Sequence, residues 1–251
     1  DFLPGFDPDI QRPLKARMKK LGIELLTDTK AKGLDNKDNL VVTLSDGSEQ
    51  TIKADYFLVS IGRKPRTSDL GLEKLGLKVD TRGFIDVNLQ QQTNSTNVYA
   101  IGDIVADRPM LAHKGSYEGE VAAEVIAGHS TIYDAKAVPA VMFTDPEVAS
   151  VGEIPEGAET ISESFPFAAI GKAVSTDETE GFIKWVADKD SHIVYQCTIV
   201  GSHAADLISE ACLAIEMGAV LEDIALTMHP HPTMGEAAME AAKFGLGEPI
   251  H

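Results

Sequence analysis

Eight residues near the end of the chain, His229-Pro230-His231-Pro232-Thr233-Met234-Gly235-Glu236, bring imidazoles, a carboxylate and two prolines close together. Prolines on both sides of His231 fix the backbone and strip it of local donors. An imidazole held in this way can act as a general base. Glu236, five residues later, can turn back and hold the second ring nitrogen. That would set the tautomer and raise the basicity of the free nitrogen. The same segment also has a plain structural meaning. Thr233-x-x-Glu236 is a capping box for a final helix, worth about 1 kcal/mol. Spacing alone leaves both readings open, and they are compatible, because a capped helix start is a rigid mount for a base.

Other residues with chemical potential are sparser. Asp103 follows Gly102 where a strand should end, which on spacing alone is an ordinary Gly-Asp turn. Gly62 has no side chain and lets a dinucleotide approach the backbone closely. The two cysteines, Cys197 and Cys212, form no CxxC pair. Each sits in an apolar run and reads as a buried, unreactive thiol. The remaining histidines read as surface or structural residues, and no metal-site spacing occurs.

With 22 Lys and Arg against 39 Asp and Glu, the formal net charge is −17 over 251 residues. Nucleic acid and anionic membrane surfaces both need basic residues to neutralise them, so neither is an expected partner. The acid is spread along the chain and reads as a soluble, self-repelling surface, with a salt-rich host as the sharper alternative. No run is apolar enough to span a bilayer as a helix, and no secretory signal is visible. The expected location is the cytoplasm.

The elements that must position these residues follow from periodicity. Residues 7–21 read as a helix, with Ile10, Leu14 and Met18 four apart and a basic last turn. Residues 23–26 read as a short strand, and 40–44 with 50–53 as a hairpin around Asp46-Gly47. Residues 54–62 form a nearly continuous apolar run ending in glycine, the pattern of a buried parallel strand. Together these suggest the tail of a doubly wound nucleotide-binding domain. Strands are expected at 83–88 and 97–103, and a helix at 115–127. From about residue 135 the pattern becomes α+β. Strands fall at 138–143, 182–188 and 193–201, an amphipathic helix at 205–218, a helical turn near 221–226, and a last helix runs to about Phe244.

The order of motifs along the whole chain resembles the flavoprotein pyridine nucleotide-disulfide oxidoreductases. HPHPT-x-x-E before a C-terminal helix is similar to that family's active-site His-Glu element. SIGRKP at 60–65 resembles the segment closing its NAD domain, and NVYAIGD at 97–103 its second flavin-contacting strand. PMLAHKGSYEG at 109–119 resembles the segment running under the flavin. VMFTDPEVASVG at 141–152 and ISEACLAIEMGA at 208–219 resemble the start and the long helix of the interface domain, and LPGFDPDI at 3–10 fits the NAD domain. MLAH after AIGD, HPHPT in place of a bare HPT, and the ending FGLGEPIH are similar to the dihydrolipoamide dehydrogenase branch.

The resemblance implies a fold class of α/β plus α+β. Residues 1–65 would be the remainder of a Rossmann-type NAD-binding domain, 66–134 a central segment docking on FAD, and 135–251 the dimerisation domain. It implies that His231 and Glu236 are catalytic. It implies FAD contacts at Asp103, Met110, Leu111, Ala112 and His113, and NAD contacts at Ala31 and Gly62. It implies a homodimer that oxidises dihydrolipoamide on the lipoyl-bearing acyltransferase subunit of a 2-oxo acid dehydrogenase complex. Two departures stand out. The family's GxGxxG fingerprints and CxxxxC disulfide do not occur in this sequence, so the expectation is a C-terminal portion, inactive by itself. The stretch after Gly152 runs almost at once into FPF at 165–167, where the family has a helix of two to three turns first. A glutathione-type disulfide reductase and a non-catalytic dimerisation module are the alternatives.

Overall fold

The computed structural model describes residues 2–3 and 6–248, so parts of LPGFDPDI and FGLGEPIH lie outside the described residues. The chain divides into two units, one made of Asp1–Val59 with Pro139–His251 and the other of Ser60–Val138.

The first unit is built on an antiparallel sheet. Its strands are β4 (Ala140–Met142), β5 (Val148–Gly152), β6 (Thr160–Pro166), β7 (Phe182–Asp188) and β8 (Val194–Val200), in the spatial order β4-β5-β8-β7-β6. Alternation sets the two faces. Ile183 pairs with Ile199 and Trp185 with Cys197, and all four are buried. Two helices cover that face: α4 (Ala204–Met217) over β5 and β8, and α6 (Glu236–Gly245) over β6 and β7. α4 ends on Gly218, whose φ of 68° is the left-handed cap conformation. α5 (Leu221–Leu226) links them and buries Leu221 and Ile224. α6 turns Ala237, Ala238, Ala241 and Ala242 inward, and these small side chains let it sit close to the sheet. The Trp185 indole donates to the Ala238 carbonyl at 2.9 Å, and Phe165 meets Phe244 edge-on.

The helix predicted at 7–21 is α1 (Pro8–Lys20), with Asp7 as its N-cap. Its Ile10 and Leu14 pack with Val148 and Val200. The predicted hairpin is present as β2 (Leu40–Thr43) and β3 (Glu49–Ile52), joined by an unpredicted β1 (Lys30–Leu34) into a three-stranded antiparallel sheet. The apolar runs at 23–26 and 54–62 form no strand. A parallel strand exists only beside a partner, and no other strand among the described residues pairs with either run. Tyr56, Leu58 and Ile61 are consequently more than nine-tenths exposed.

The second unit packs Ile85, Ala100 and Val105 with Leu72 and Ile104 of two short 3-10 turns, and carries one longer helix, α2 (Ala112–Ile126). The strands expected at 83–88 and 97–103 shrink to isolated bridges, Ile85 with Val79 and Val105, and Gln92 with Tyr99. The chain turns at Asn88, whose carboxamide oxygen accepts from the N–H groups of Gln90 and Gln92, before either ladder can lengthen. α2 begins at Ala112, three residues earlier than periodicity suggested, because Lys114 is part of its buried face. In the first unit, α3 (Gly171–Thr176) follows the FPF stretch, and no helix precedes β6 after Gly152.

Candidate functional site

The loop from Thr227 to Gly235 joins α5 to α6 and carries the histidine segment. Glu236 is the first residue of α6. Its Oε1 lies 2.9 Å from His231 Nδ1, and its Oε2 accepts the Thr233 N–H at 2.9 Å. The capping box is therefore half formed. Thr233 Oγ1 donates to the Pro230 carbonyl rather than serving the helix, which tightens the loop on itself. The helix start and the histidine mount are thus one structure, and both readings of the segment hold at the level of geometry.

Exposure separates the two partners. The Glu236 side chain is 19 % exposed and that of His231 77 %. Partial burial pushes the Glu236 carboxyl up. The Thr233 N–H, the His231 hydrogen bond and the charges of His231 and His229 outweigh it and hold the group below its ordinary value. Glu236 is then an ionised acceptor at neutral pH, and it selects the His231 tautomer with the proton on Nδ1. Nε2 faces no partner among the described residues and is left as the basic atom.

In the second unit, Asp103 stands exposed in the 3-10 turn Gly102–Ile104. A buried ionic network holds that turn. Glu118 accepts from the Gly102 N–H at 2.7 Å and from Arg108 at 2.7 Å, and it pairs with Lys114 at 3.2 Å. Lys114 in turn donates to the Gly102 carbonyl at 2.9 Å. Gly102 has φ of 76°, and a Cβ on Gly115 would come within 3.2 Å of its Cα, so both glycines are required where α2 meets the turn. Met110 and Leu111 lead into α2, and Ala112 and His113 open it, with the Met110 carbonyl accepting from Arg63 at 2.9 Å. Leu111, the N-cap, provides no side-chain bond to the first turn. Ala31 is exposed on β1 in the first unit, and Gly62 lies in an extended stretch of the second with φ of 127°.

Cys197 is buried in β8 and Cys212 half-buried in α4, and both are free thiols. Burial pushes the Cys197 thiol well up and raises Cys212 as well, so neither supplies thiolate at neutral pH. Among the described residues, no group of three His, Cys, Asp or Glu side chains could hold a metal ion.

Comparison with known proteins agrees with this arrangement. Residues 1–119 match the family described as pyridine nucleotide-disulphide oxidoreductase, and residues 138–242 match the dimerisation domain of the same family. The chain belongs to the pyridine nucleotide-disulphide oxidoreductases. The dihydrolipoyl dehydrogenase of Geobacillus stearothermophilus is 49% identical over all of this chain and 55% of its own length. That of Bacillus subtilis is 46% identical, and that of Haloferax volcanii 44%, over comparable shares. The chain thus spans about half the length of the curated relatives it matches. Among solved structures, LpdA from Mycobacterium tuberculosis superposes with a TM-score of 0.85 at 25% identity, over 96% of this chain and 53% of that one. The fold also matches RclA, an HOCl-induced flavoprotein disulfide reductase from Escherichia coli, with a TM-score of 0.85 at 22% identity over 97% of this chain and 57% of that one.

Within this disulphide oxidoreductase fold, sequence reasoning expected the His231–Glu236 contact that the structure forms but missed the residues that hold the Gly102 turn. Lys114 and Glu118 are four apart on α2, and a Lys-Glu pair at that spacing reads as a solvated surface bridge. A signal was present: both lie on the same helix face as Val121 and Ala122, which are buried. His229 was read with the other histidines as a surface or structural residue, and the sequence did not show its partner. Its Nε2 lies 2.9 Å from Glu210 and its side chain is only 6 % exposed.

Proposed function

We propose that this chain provides the acid-base and dimerisation half of a dihydrolipoyl dehydrogenase. The reaction is oxidation of protein-bound dihydrolipoamide, with electrons leaving through a disulfide and FAD to NAD⁺. The observation that carries this reading is the His231–Glu236 pair, an exposed imidazole oriented by a shielded carboxylate and open at Nε2. The name shared by relatives 44–49% identical supplies the substrate class.

A thiol must lose its proton before it can attack a disulfide. His231 Nε2 takes that proton from dihydrolipoamide, and Glu236 stabilises the imidazolium through Nδ1. The thiolate then attacks one sulfur of the enzyme disulfide, breaking the S–S bond. Cys197 on β8 and Cys212 on α4 are not that disulfide, since both are free thiols held protonated by burial. The disulfide comes from outside this chain. Because His231 is three-quarters exposed, its site needs a second wall, and we assign that wall to the partner subunit of a homodimer. Leu213 and Met217 on α4, Leu226 on α5 and Met228 leave a large apolar surface in water, of the kind that marks an interface.

When bound, FAD supplies the electron-carrying ring and NAD the hydride acceptor. The residues present fit both. Asp103 can accept from a ribityl hydroxyl, and Met110, Leu111, Ala112 and His113 would contact the ring at the α2 N-terminus, whose positive dipole end has no side-chain cap. Gly62 has nothing within 4 Å of a built Cβ, and Ala31 presents a small exposed side chain, so both leave room for a dinucleotide. The lipoyl-bearing acyltransferase subunit of a 2-oxo acid dehydrogenase complex is the partner, and the cytoplasm the location. No helix among the described residues is long and apolar enough to cross a membrane.

The test is a hybrid in which this chain replaces the matching part of the Geobacillus stearothermophilus enzyme. It is expected to be dimeric by light scattering, to oxidise dihydrolipoamide, and to leave glutathione disulfide unreduced. Reduction of glutathione disulfide in preference would make it a different disulfide reductase. A monomeric mass would contradict the shared site.

A further inference from the structure

His229 stands two residues before the proposed base, and the reaction as described does not use it. Its ring is enclosed. Nδ1 faces the Thr227 carbonyl at 2.9 Å, and Nε2 faces Glu210 Oε1 at 2.9 Å. A neutral imidazole has one N–H and one lone pair. Here both nitrogens meet acceptors. A carbonyl can never donate, and a carboxylate donates only when protonated. With Glu210 ionised, only the imidazolium satisfies both bonds. We propose that His229 is a positioning residue for the dithiol reaction: a standing imidazolium, clamped between Glu210 of α4 and the Thr227 carbonyl, that fixes the loop bearing His231 and presents a positive charge to the His231–Glu236 pair. This deepens the functional reading above and rests on it.

The surroundings support a lasting charge. α4 contributes Glu210, the start of α6 contributes Glu236, and the loop contributes His231. The acidic residues of α5 are engaged elsewhere, Glu222 with His192 and Asp223 with the Val220 N–H. The ring packs on the start of α6, its Cδ2 lying 3.5 Å from where a Gly235 Cβ would stand. The Glu210 hydrogen bond raises the His229 pKa. Burial opposes it, while the Thr227 bond and the charges of Glu210 and Glu236 add to the rise. The linkage has a definite sign. The folded value lies above the unfolded one, so the clamp's stabilisation is complete below the ordinary histidine range. It is lost as pH rises through the elevated folded value. The loop is therefore fastened below the ordinary histidine range and loosens as pH rises through that elevated value.

The charge also acts forward. A cation beside the pair favours ionised Glu236, the carboxylate that orients the base. Glu210 is thus coupled to the base through His229, although it touches neither His231 nor Glu236 in any described bond.

The experiment starts with the 251-residue chain labelled with ¹⁵N at histidine. Long-range proton–nitrogen spectra at pH 7.5 are expected to show one ring with both nitrogens protonated. That signal should vanish in His229→Gln and become a neutral tautomer in Glu210→Gln. A neutral His229 with Glu210 intact overturns the proposal. The second measurement uses the hybrid enzyme. His229→Gln keeps a donor for Glu210 but removes the charge. It should move the acid limb of dihydrolipoamide oxidation upward by on the order of half a pH unit, and His229→Lys should move it back. An unmoved limb also overturns the positioning role. If instead His231→Gln leaves turnover intact, the functional reading fails, and the nitrogen spectrum still decides the state of His229 by itself.

Discussion

Glu236 turns one carboxylate oxygen to the His231 ring and the other to the Thr233 N–H. One residue therefore starts a helix and sets a tautomer, which is why the sequence pattern could not be divided between the two roles. Substitutions can divide them. Glu236→Gln keeps an acceptor for Thr233, whereas Glu236→Ala removes it and should cost about 1 kcal/mol in urea unfolding at pH 7. The acid dependence carries a sign. The folded carboxyl lies below its ordinary value, so its contribution is present above about pH 4.5. It is lost as pH falls through the depressed folded value. Thermal unfolding of the parent chain should weaken across that acid range more steeply than that of Glu236→Gln. Equal slopes would show that the carboxylate contributes nothing to stability.

At the scale of elements, legibility followed the source of each element's partners. β7 was read from sequence to its exact residues and β8 to within one at each end, because their alternation records burial against α4 and α6 in the same chain. The run at 54–62 has an equally apolar pattern and no strand, because periodicity states that a partner is needed without supplying one. The bridges at 85 and 99 are short for a local reason, the turn at Asn88. The site was half legible. His231 and Glu236 are close in sequence. Glu210 reaches His229 from nineteen residues upstream, and Glu118 holds Gly102 from sixteen residues away, so only folding reveals either contact. α6, the helix that carries Glu236, is fixed to the sheet by the Trp185 bond to the Ala238 carbonyl. Trp185→Phe removes that bond, while the Ala238 carbonyl keeps its place in the α6 ladder, and should destabilise the first unit by about 0.5–1.5 kcal/mol. Denaturant unfolding would measure it, and a change near zero would mean that α6 is held by packing alone.

The whole molecule presents groups with chemical potential on each of its two units. It offers an oriented base with an open nitrogen, an exposed carboxylate beside an uncapped helix start, and an apolar surface on α4 and α5, and each faces outward. Of its two thiols Cys197 is buried and Cys212 half-buried, and burial keeps both protonated. The proposed chemistry therefore rests on His231. The most direct measurement compares the two half-reactions of the hybrid enzyme with and without His231→Gln. Loss of a general base typically lowers rates ~10²–10⁴-fold. Dihydrolipoamide oxidation should fall by that order, while reduction of a dye by NADH, which needs no thiol proton transfer, should persist. Unchanged dihydrolipoamide oxidation in His231→Gln would contradict the assignment and leave the histidine segment as no more than the start of a helix.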